Sequence, residues 1–348
     1  MDISFKKMKM LTRTLILLGV TAALGLVLQI LMLPEVGVIP TYDQQVVLKI
    51  CIDAILALGL NLITGITGQF SLGHAGFMSL GAYASAFYIL RSSADGQVDV
   101  GSMLVALLLG GAVAGIVGLL IGIPTLRLKG DYLAIATLGF GEIVRVLIEN
   151  SGPDTFNGAA GLSGIPLYTN FLAVFIALAI TFFFIRNMMK SSFGRACVAV
   201  REDEIAAESM GVNLTRTKVM AFVIGAFFAG VAGALYSGFI GSIQPKDFGF
   251  MKSIDILMIV VLGGLGNIWG TVIAAVLLNI VSTMLQDFAE IRMIIYAALL
   301  IIIMLVKSGE TPFFVRIRKA LGDGKDFVFG LIKKLFKRPA KGADGASK

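Results

Sequence analysis

The chain has 348 residues, of which 57% are hydrophobic and 15% charged, against roughly 45–50% and about 25% in an ordinary soluble domain. A conventional soluble protein is therefore excluded, because the apolar residues gather into runs of about 20, the length of a membrane-spanning helix. Two cysteines exclude a disulfide framework. The net charge of +7 bears on orientation in a membrane rather than on nucleic-acid binding.

Ten apolar helices are predicted, and they indicate an all-α, polytopic integral membrane protein. The first could be taken for a cleaved signal peptide, but its length and the lack of a small-residue cleavage site favour a retained helix. The eighth and ninth could form one long tilted helix or two helices broken at Gly263-Gly264-Leu265-Gly266. In chain order the ranges are 11–33, 46–66, 71–90, 102–123, 131–150, 170–188, 217–240, 254–268, 270–286 and 291–307.

The distribution of Lys and Arg residues predicts that both termini face the cytoplasm. Lys6, Lys7, Lys9 and Arg13 accompany the start of the first helix, and a basic segment follows Met304. Two ends on one side require an even number of crossings. Ten crossings place most of the 29 Lys and Arg residues on cytoplasmic segments.

This topology divides the chain into three regions. Residues 1–10 are the cytoplasmic N-terminus, 11–307 the transmembrane domain with a cytoplasmic loop at 189–216, and 308–348 a basic cytoplasmic tail. The tail alternates apolar and basic residues over 327–338, which is typical of a helix on an anionic membrane surface. A solvated tail with little structure fits the composition equally well.

Catalytic chemistry is not predicted. The sequence has no G-x-x-x-x-G-K-[ST] phosphate-binding loop and no G-x-S-x-G motif. His74 is the only histidine, which excludes a pair of histidine metal ligands and argues against a histidine-based triad. We therefore expect no catalytic residue, no metal and no cofactor.

Small residues recur at four-residue spacing along the predicted helices. In lipid this spacing lets helix backbones approach closely, so packing is the expected role of most of them. The examples are Gly111 with Gly115, Gly118 with Gly122, and the series Gly225, Ala229 and Gly233. The cluster at 263–266 differs, because it interrupts helical hydrogen bonding and is expected to mark a helix break or a pathway.

Charged residues at membrane depth are few. Glu142 and Arg145 are three residues apart, and Arg145 and Glu149 are four apart, so they can pair along one helix. This spacing favours structural ion pairs over a charge that contacts substrate. Asp131 is placed at the start of its helix, and Lys252 is assigned to an outer loop.

The largest predicted cytoplasmic loop contains a short amphipathic pattern. Ile205, Ala206, Ala207 and Met210 are spaced for one face of a helix that includes 201–211, and Gly211 is predicted to end it. A short helix held between two spans suits a mechanical contact with another protein. A connector lying on the membrane surface fits the same periodicity.

Five segments match the signature of one known family. Residues 68–83 read GQFSLGHAGFMSLGAY, and residues 126–138 read LRLKGDYLAIATL. The others are the loop at 193–211, NGAAGL at 157–162 and LGGLG at 262–266. In this order, between residues 61 and 286, they resemble the M-type permease subunits of branched-chain amino acid ABC transporters, the LivM family.

The resemblance implies a transport subunit of a bacterial-type inner membrane, with ATP hydrolysed by partner subunits. The implied partners are an H-type permease forming a heterodimer, two cytoplasmic ABC ATPases and an extracytoplasmic solute-binding protein. The implied pathway residues are Gln69, Ser71, His74, Tyr83, Tyr132, Thr137, Gly263 and Gly264. The implied ATPase-coupling residues are Gly194, Arg195, Arg201, Glu202, Asp203, Glu204, Ala206, Ala207 and Gly211.

Two alternative functions are considered. Permeases of the urea type carry the same signature, so the resemblance points to branched-chain amino acids by analogy alone. An ion-coupled secondary carrier would show inverted repeats and an unpaired acid at mid-membrane, and the sequence shows neither clearly. The importer permease is therefore the leading hypothesis.

Overall fold

A computed structural model of the chain describes residues 40–92, 98–126, 128, 130–153 and 155–284. The chain divides into the units Met1–Gln286 and Asp287–Lys348, and every residue described below belongs to the first. The predicted helices at 11–33 and 291–307, the N-terminus at 1–10 and the tail at 308–348 lie outside the described residues.

Helices dominate the described part of the chain. They are α1 (Thr41–Leu60), α2 (His74–Ser92), α3 (Val100–Thr125), α4 (Asp131–Glu149), α5 (Phe171–Lys190), α6 (Ser192–Glu202), α7 (Glu204–Ser209), α8 (Leu214–Ile240), α9 (Phe250–Gly263) and α10 (Ile268–Met284). A π-helical turn, Asn61–Ile66, continues α1, and 3-10 turns lie at Gly158–Ala160 and Pro245–Phe248. The strands β1 (Leu162–Ser163) and β2 (Ser242–Ile243) pair antiparallel and form a two-stranded ribbon.

Each predicted span that falls within the described residues is helical. The segment 254–286 forms two helices, since α9 ends at Gly263 and α10 begins at Ile268. Among the described residues, four helical segments are long and apolar enough to cross a membrane: Tyr42–Ile66, Val100–Thr125, Phe171–Lys190 and Leu214–Ile240. The count of ten crossings stays a prediction.

Helix α8 lies at the centre of the bundle and packs against α1, α2 and α3. Its glycines make this packing possible. A Cβ added at Gly230 would overlap the carbonyl oxygen of Gly110, and one at Gly225 would lie 2.5 Å from Ile63 Cδ1. Small residues on α8 thus bring helix backbones into direct contact, as expected for helices packed in lipid.

Helix α8 also defines two ends of the bundle. It begins after α7 and ends immediately before β2, so its 27 residues separate the ends by roughly 40 Å at 1.5 Å per residue. We call them the α6–α7 end and the ribbon end. Tyr168 fixes the ribbon end by donating a hydrogen bond to the Ala234 carbonyl oxygen over 2.6 Å.

Candidate functional site

Residues 68–83, which we call the signature segment, place buried polar side chains between α1 and α2. Gln69 is 3% exposed and donates from Nε2 to the Lys218 carbonyl oxygen over 3.3 Å. His74 is fully buried at the start of α2, and its Nε2 lies 3.1 Å from the Leu56 carbonyl oxygen. The segment is therefore anchored to both α1 and α8.

Thr137 of α4 joins the same region. The Leu72 amide donates to Thr137 Oγ1 over 3.1 Å, and the Thr137 hydroxyl donates to the Ala134 carbonyl oxygen over 3.0 Å. Gly73 lies so close to the Thr137 backbone that a Cβ would overlap the Thr137 carbonyl oxygen. Among the predicted pathway residues, the structure thus brings the start of α2 together with Thr137.

This region contains several buried polar atoms that have no hydrogen-bond partner among the described residues. They are Thr64 Oγ1, Gln69 Oε1, Ser71 Oγ, His74 Nδ1 and Ser79 Oγ. Buried polar groups are normally paired, because an unpaired one loses its hydration without compensation. Their concentration in one short segment favours a place where water or a polar solute can enter.

The π turn of Asn61–Ile66 lies against the break between α9 and α10. Asn61 bridges the two elements, because its Nδ2 donates to Thr271 Oγ1 over 2.9 Å and its Oδ1 accepts from the Gly266 amide over 2.8 Å. A Cβ at Gly65 would overlap both Asn61 Oδ1 and the Gly266 nitrogen. Two interruptions of regular α-helix therefore meet, and such interruptions often lie at functional positions.

Glycine is required at the break itself. Gly264 has φ 91° and Gly266 has φ 81°, conformations that residues with a Cβ rarely adopt. Gly263 approaches the backbone of Gly270 and Thr271 so closely that a Cβ there would lie 2.5 Å from Thr271 Cα. The predicted pathway residues Gly263 and Gly264 thus shape the turn and the start of α10.

Arg201 reaches this junction from the end of α6. Its Nη1 donates to the Gly65 carbonyl oxygen over 2.9 Å and would lie 3.1 Å from a Cβ placed on Gly266. Its stem covers Gly68, where an added Cβ would lie 2.8 Å from Arg201 Cγ. Its Nε also donates to Glu202 Oε1 over 3.1 Å. Arg201 therefore contacts the π turn and lies beside Gly266 at the α9–α10 break.

The single amphipathic helix expected over 201–211 does not form. Helix α6 ends at Glu202, Asp203 adopts an extended conformation, and α7 begins at Glu204. Asp203 caps the new helix, because its Oδ1 accepts from the amides of Ile205 over 2.8 Å and Ala206 over 3.1 Å. A carboxylate at this position stabilises a helix start more than a helix interior, which explains the break.

The apolar residues of α7 and the following Met210 do not share one environment, although their spacing predicted a single helix face. Ala207 is buried, but Ile205 is 76% exposed and Met210 is 84% exposed. Gly211, with φ 85°, ends the segment as predicted. The exposed pair gives this end of the molecule an apolar surface outside the bundle.

Two other coupling residues mark the start of α6. Gly194 sits against the backbone of Met188 and Met189, and its amide donates to Ser191 Oγ over 3.3 Å. Arg195 is exposed. In the same helix the Cys197 thiol is fully buried, and this burial raises its pKa above the ordinary value.

A cleft of about 240 Å³ connects the α6–α7 segment with the signature segment. Its charged lining includes Glu204 and Lys218, whose Oε1 and Nζ lie 2.6 Å apart, together with Arg201, Glu202 and Asp203. Within the described parts of the chain, no three His, Cys, Asp or Glu side chains converge on a possible metal position. The charged side chains of the lining thus form pairs, Arg201 with Glu202 and Lys218 with Glu204.

The structure places the two predicted pathway tyrosines elsewhere. Tyr83 is 1% exposed, packs edge-to-face on Phe156 and Phe248, and donates to the Ile243 carbonyl oxygen over 3.4 Å. It therefore lies at the ribbon end. Tyr132, at the start of α4, is 73% exposed.

The predicted ion pairs of α4 are present. Arg145 Nε lies 2.7 Å from Glu142 Oε2, and its Nη1 lies 2.7 Å from Glu149 Oε2. The Arg145 side chain is 27% exposed, and both carboxylate side chains are 40% exposed. These charges thus lie on the surface of the folded chain rather than in its interior.

Sequence reasoning missed a buried ion pair between α1 and α9. Lys252 Nζ lies 2.8 Å from Asp53 Oδ1, and their side chains are 16% and 8% exposed. The assignment of Lys252 to an outer loop is wrong, because it lies within α9. Asp53 is the one acidic residue in the apolar run at 46–66. It could have indicated the ion pair, since a charge at membrane depth requires a partner.

Known proteins give a consistent assignment. The family described as "Branched-chain amino acid transport system / permease component" matches residues 44–304. The high-affinity branched-chain amino acid transport system permease protein LivM of Salmonella typhimurium is 37% identical, over 72% of this chain and 65% of its own length, and LivM of Escherichia coli is 36% identical with the same coverage. LivH of Escherichia coli is 31% identical over 73% of this chain and 88% of its own length.

These matches show the family of the chain and how much of each relative the chain covers. This chain spans about 65% of the length of the LivM proteins that it matches. No solved structure matches it. Because the family match covers well over half of the chain, this chain belongs to the family of permease components of branched-chain amino acid transport systems.

Proposed function

We propose that this chain is a permease subunit of an ATP-driven importer for branched-chain amino acids and forms half of the translocation pathway. Its relatives LivM and LivH are named as permease proteins of transport systems for that substrate class. The observation that carries the proposal is the contact between Arg201 and Gly65. It connects α6 to the π turn, which Asn61 joins to the α9–α10 break; an external motor requires a connection of this kind.

The energy source is a separate pair of ATPases that bind the α6–α7 end. The sequence contains no phosphate-binding loop, so this chain does not supply nucleotide hydrolysis by that motif. Ile205 and Met210 provide an exposed apolar surface at this end. An ATPase groove that covers these two side chains would move α7 when the ATPases close.

Arg201 transmits that movement. A shift of α6 and α7 pulls on the Gly65 carbonyl oxygen through Arg201 Nη1. The π turn in turn holds the α9–α10 break through Asn61 and the Gly266 amide. Closure of the ATPases would therefore change the separation of two segments that regular α-helix does not hold rigid.

The amino acid passes beside the signature segment. The unpartnered atoms of Gln69, Ser71 and His74 offer polar contacts there. Backbone groups released by the π turn and the break add further weak contacts. Conduction requires binding strong enough for entry and weak enough for release, so a few dispersed polar atoms suit a transient site.

The proposed assembly contains a second, H-type permease and an extracytoplasmic solute-binding protein. Similarity to both LivM and LivH fits a pair of related permease subunits. In this arrangement the chain crosses the inner membrane ten times, both termini are cytoplasmic, and the α6–α7 end faces the cytoplasm. The concentration of Lys and Arg residues at 186–218 supports that orientation.

Transport by the complete complex in lipid vesicles tests the proposal. Labelled leucine and labelled urea are offered with the solute-binding protein outside, with or without ATP inside. We expect leucine uptake that depends on enclosed ATP. Leucine uptake driven by an ion gradient without ATP would contradict an importer powered by ATPases, and uptake of urea alone would reassign the substrate.

A further inference from the structure

One face of α4 is left largely uncovered by the residues that the structure describes. Its exposed residues follow the three- and four-residue spacing of a single helix face, and we call them the α4 face: Tyr132, Ile135, Gly139, Glu142, Ile143 and Val146. Glu142 itself is half-buried, with its side chain 40% exposed. The opposite side of the helix is buried, through Leu133, Phe140, Val144 and Ile148. Helix α4 therefore packs on the bundle with one side only.

Contact with lipid is unfavourable for the α4 face. Glu142 lies seven residues, or roughly 10 Å, from the end of α4 at Glu149. Its carboxylate and that of Glu149 are paired with Arg145, but both side chains remain 40% exposed. Charged groups at membrane depth normally face protein or water, because exposure to hydrocarbon is costly.

Water does not suit this face either. Ile135 is 64% exposed, and Ile143 is 59% exposed. Leu147, beside them, is 67% exposed. Apolar area of this extent is stabilised by removal from water. A face that combines large apolar side chains with partly exposed ion pairs is best covered by another protein surface.

Gly139 shows that this covering surface approaches closely. A Cβ added to Gly139 would meet no atom of the described chain within 4 Å, so packing among the described residues does not explain the glycine. Gly111 and Gly118 of α3 are different, because their Cβ positions are occupied by Phe227 and Ala226 of α8. A small residue in the middle of an open helix face allows a second helix to pack backbone against backbone.

The exposed side of α3 provides the contrast. Leu104, Leu108, Ile116 and Leu120 are between 52% and 65% exposed, and the whole of α3 contains no charged residue. This surface suits lipid. The exposed sides of α3 and α4 thus differ in chemistry, and of these two it is α4 that requires a protein.

We propose that the α4 face binds the second permease subunit of the transporter, whose corresponding helix crosses α4 at Gly139. This assignment rests on the proposed function. The 31% identity to LivH indicates that the two permeases are alike enough to meet through equivalent faces about an approximate two-fold axis. Since the ion pairs contain two carboxylates and one guanidinium, the second subunit should offer a hydrogen-bond donor or cation beside Glu142 or Glu149.

Site-specific photocrosslinking in the assembled transporter tests the assignment. The photoreactive residue p-benzoylphenylalanine replaces Ile135, Ile143 or Leu147 on α4, and Leu108 or Leu120 on α3 as matched controls. The full chain is co-expressed with the H-type permease and the ATPases. We expect adducts between the two permeases from the α4 positions and none from the α3 positions.

Three results would overturn the assignment. These are adducts from α3 alone, adducts joining two copies of this chain, and adducts within one chain that place residues 11–33 or 291–307 over α4. The absence of adducts from all five positions in a complex that transports leucine would overturn it as well. The proposed function fails separately, when no second permease co-purifies or uptake does not require ATP.

A size series at Gly139 gives a second measurement. Gly139→Phe should reduce recovery of the second permease by about tenfold or more, because a large side chain prevents close approach. Leu120→Phe on α3 should leave recovery unchanged. The Gly139 site is open within the chain, so the variant should fold normally, which the fluorescence of the single tryptophan, Trp269, reports. Unchanged recovery with Gly139→Phe would contradict the proposed crossing point.

Discussion

Arg201 Nη1 donates a hydrogen bond to the Gly65 carbonyl oxygen over 2.9 Å. Gly65 belongs to the π turn that ends the first described helix, where carbonyl groups lose their intrahelical partners. Arg201 satisfies one of them from a segment 136 residues away in sequence. The contact therefore stabilises the end of one helix and the position of another at the same time.

Replacing Arg201 with Gln should uncouple transport from ATP hydrolysis. A hydrogen bond from a charged donor contributes about 1.5–3 kcal/mol, so its loss should lower the number of leucine molecules imported per ATP by about tenfold or more. ATP hydrolysis and leucine uptake are measured in the same vesicles. The Arg201→Lys variant should recover part of the coupling, because an ammonium group retains the charge but not the guanidinium geometry.

Arg216→Gln provides the matched control. Arg216 is an exposed arginine near the start of α8, and its replacement should leave the ratio of uptake to hydrolysis unchanged. If Arg201→Gln transports with the normal ratio, Arg201 does not transmit the movement of α6. Equal losses in both variants would indicate a general effect of removing positive charge at this end.

Replacing Gly65 with Ala should separate the two interrupted helices. The added Cβ would overlap Asn61 Oδ1 and the Gly266 nitrogen, and overpacking of this kind costs about 1–3 kcal/mol. We expect a lower unfolding temperature and a change in the fluorescence emission of Trp269. Trp269 lies in the first turn of α10, and its ring centroid is 4.7 Å from that of Phe182. Gly152→Ala, at an open position, should change neither quantity.

Much of the fold was predictable because membrane insertion imposes a simple pattern. Apolar runs of about 20 residues identify spanning helices, and Gly263 to Gly266 indicated the break between α9 and α10. The π turn was not predictable in the same way. Asn61 to Ile66 read as an ordinary continuation of an apolar helix, and contacts with residues 136 to 210 positions away stabilise the irregular turn.

The candidate site was predictable in composition but not in geometry. Motif similarity singled out Arg201 as a coupling residue, yet the expected helix over 201–211 concealed the cap at Asp203 and the inward direction of Arg201. Periodicity placed Ile205, Ala207 and Met210 on one helix face, whereas Ala207 is buried and the other two are exposed. Local patterns cannot decide which face of a short helix is covered when another subunit provides the covering surface.

Asp53 and Lys252 should be strongly coupled in stability. Removing one partner of a buried ion pair leaves an uncompensated charge and typically costs 3–5 kcal/mol. Asp53→Asn and Lys252→Gln should therefore each lower the free energy of unfolding strongly. Adding the second substitution to either single variant should lower it much less. A double-mutant cycle on the free energy of unfolding in detergent measures the coupling. Additive effects would show that the pair contributes little despite its 2.8 Å separation.

Replacing Ile205 and Met210 with Ser should weaken binding of the ATPases. Burying a side chain of this size contributes about 1.5–3 kcal/mol, so the double variant should lower affinity by about a hundredfold. Affinity is measured by titrating the purified ATPases onto the permease pair in nanodiscs. Leu167→Ser is the control, because Leu167 is 72% exposed but lies between α4 and α5, near the ribbon end. If the unsubstituted chain, the double variant and Leu167→Ser bind the ATPases with equal affinity, α7 is excluded as the contact.

Cys197 should report whether α6 leaves the bundle during transport. Burial raises the pKa of its thiol, and a hydrogen bond with Thr67, which directly follows the π turn, partly offsets this effect. The thiolate is the reactive species, so maleimide labelling of Cys197 should be slow at pH 7 and should still be increasing above pH 9. The exposed thiol of Met210→Cys should instead approach its maximum rate near the ordinary cysteine pKa of about 8.5.

The measurement uses a Cys51→Ala background, and the Met210→Cys protein also carries Cys197→Ala, so that a single thiol is followed in each protein. If ATP binding by the complex pulls α6 away from the signature segment, labelling of Cys197 should accelerate when a non-hydrolysable ATP analogue is added, while labelling through Met210→Cys should slow because the ATPase covers it. Equal rates at Cys197 with and without the analogue would mean that α6 stays packed. Movement would then have to reach Gly65 by another route, because Arg201 and Cys197 belong to the same helix.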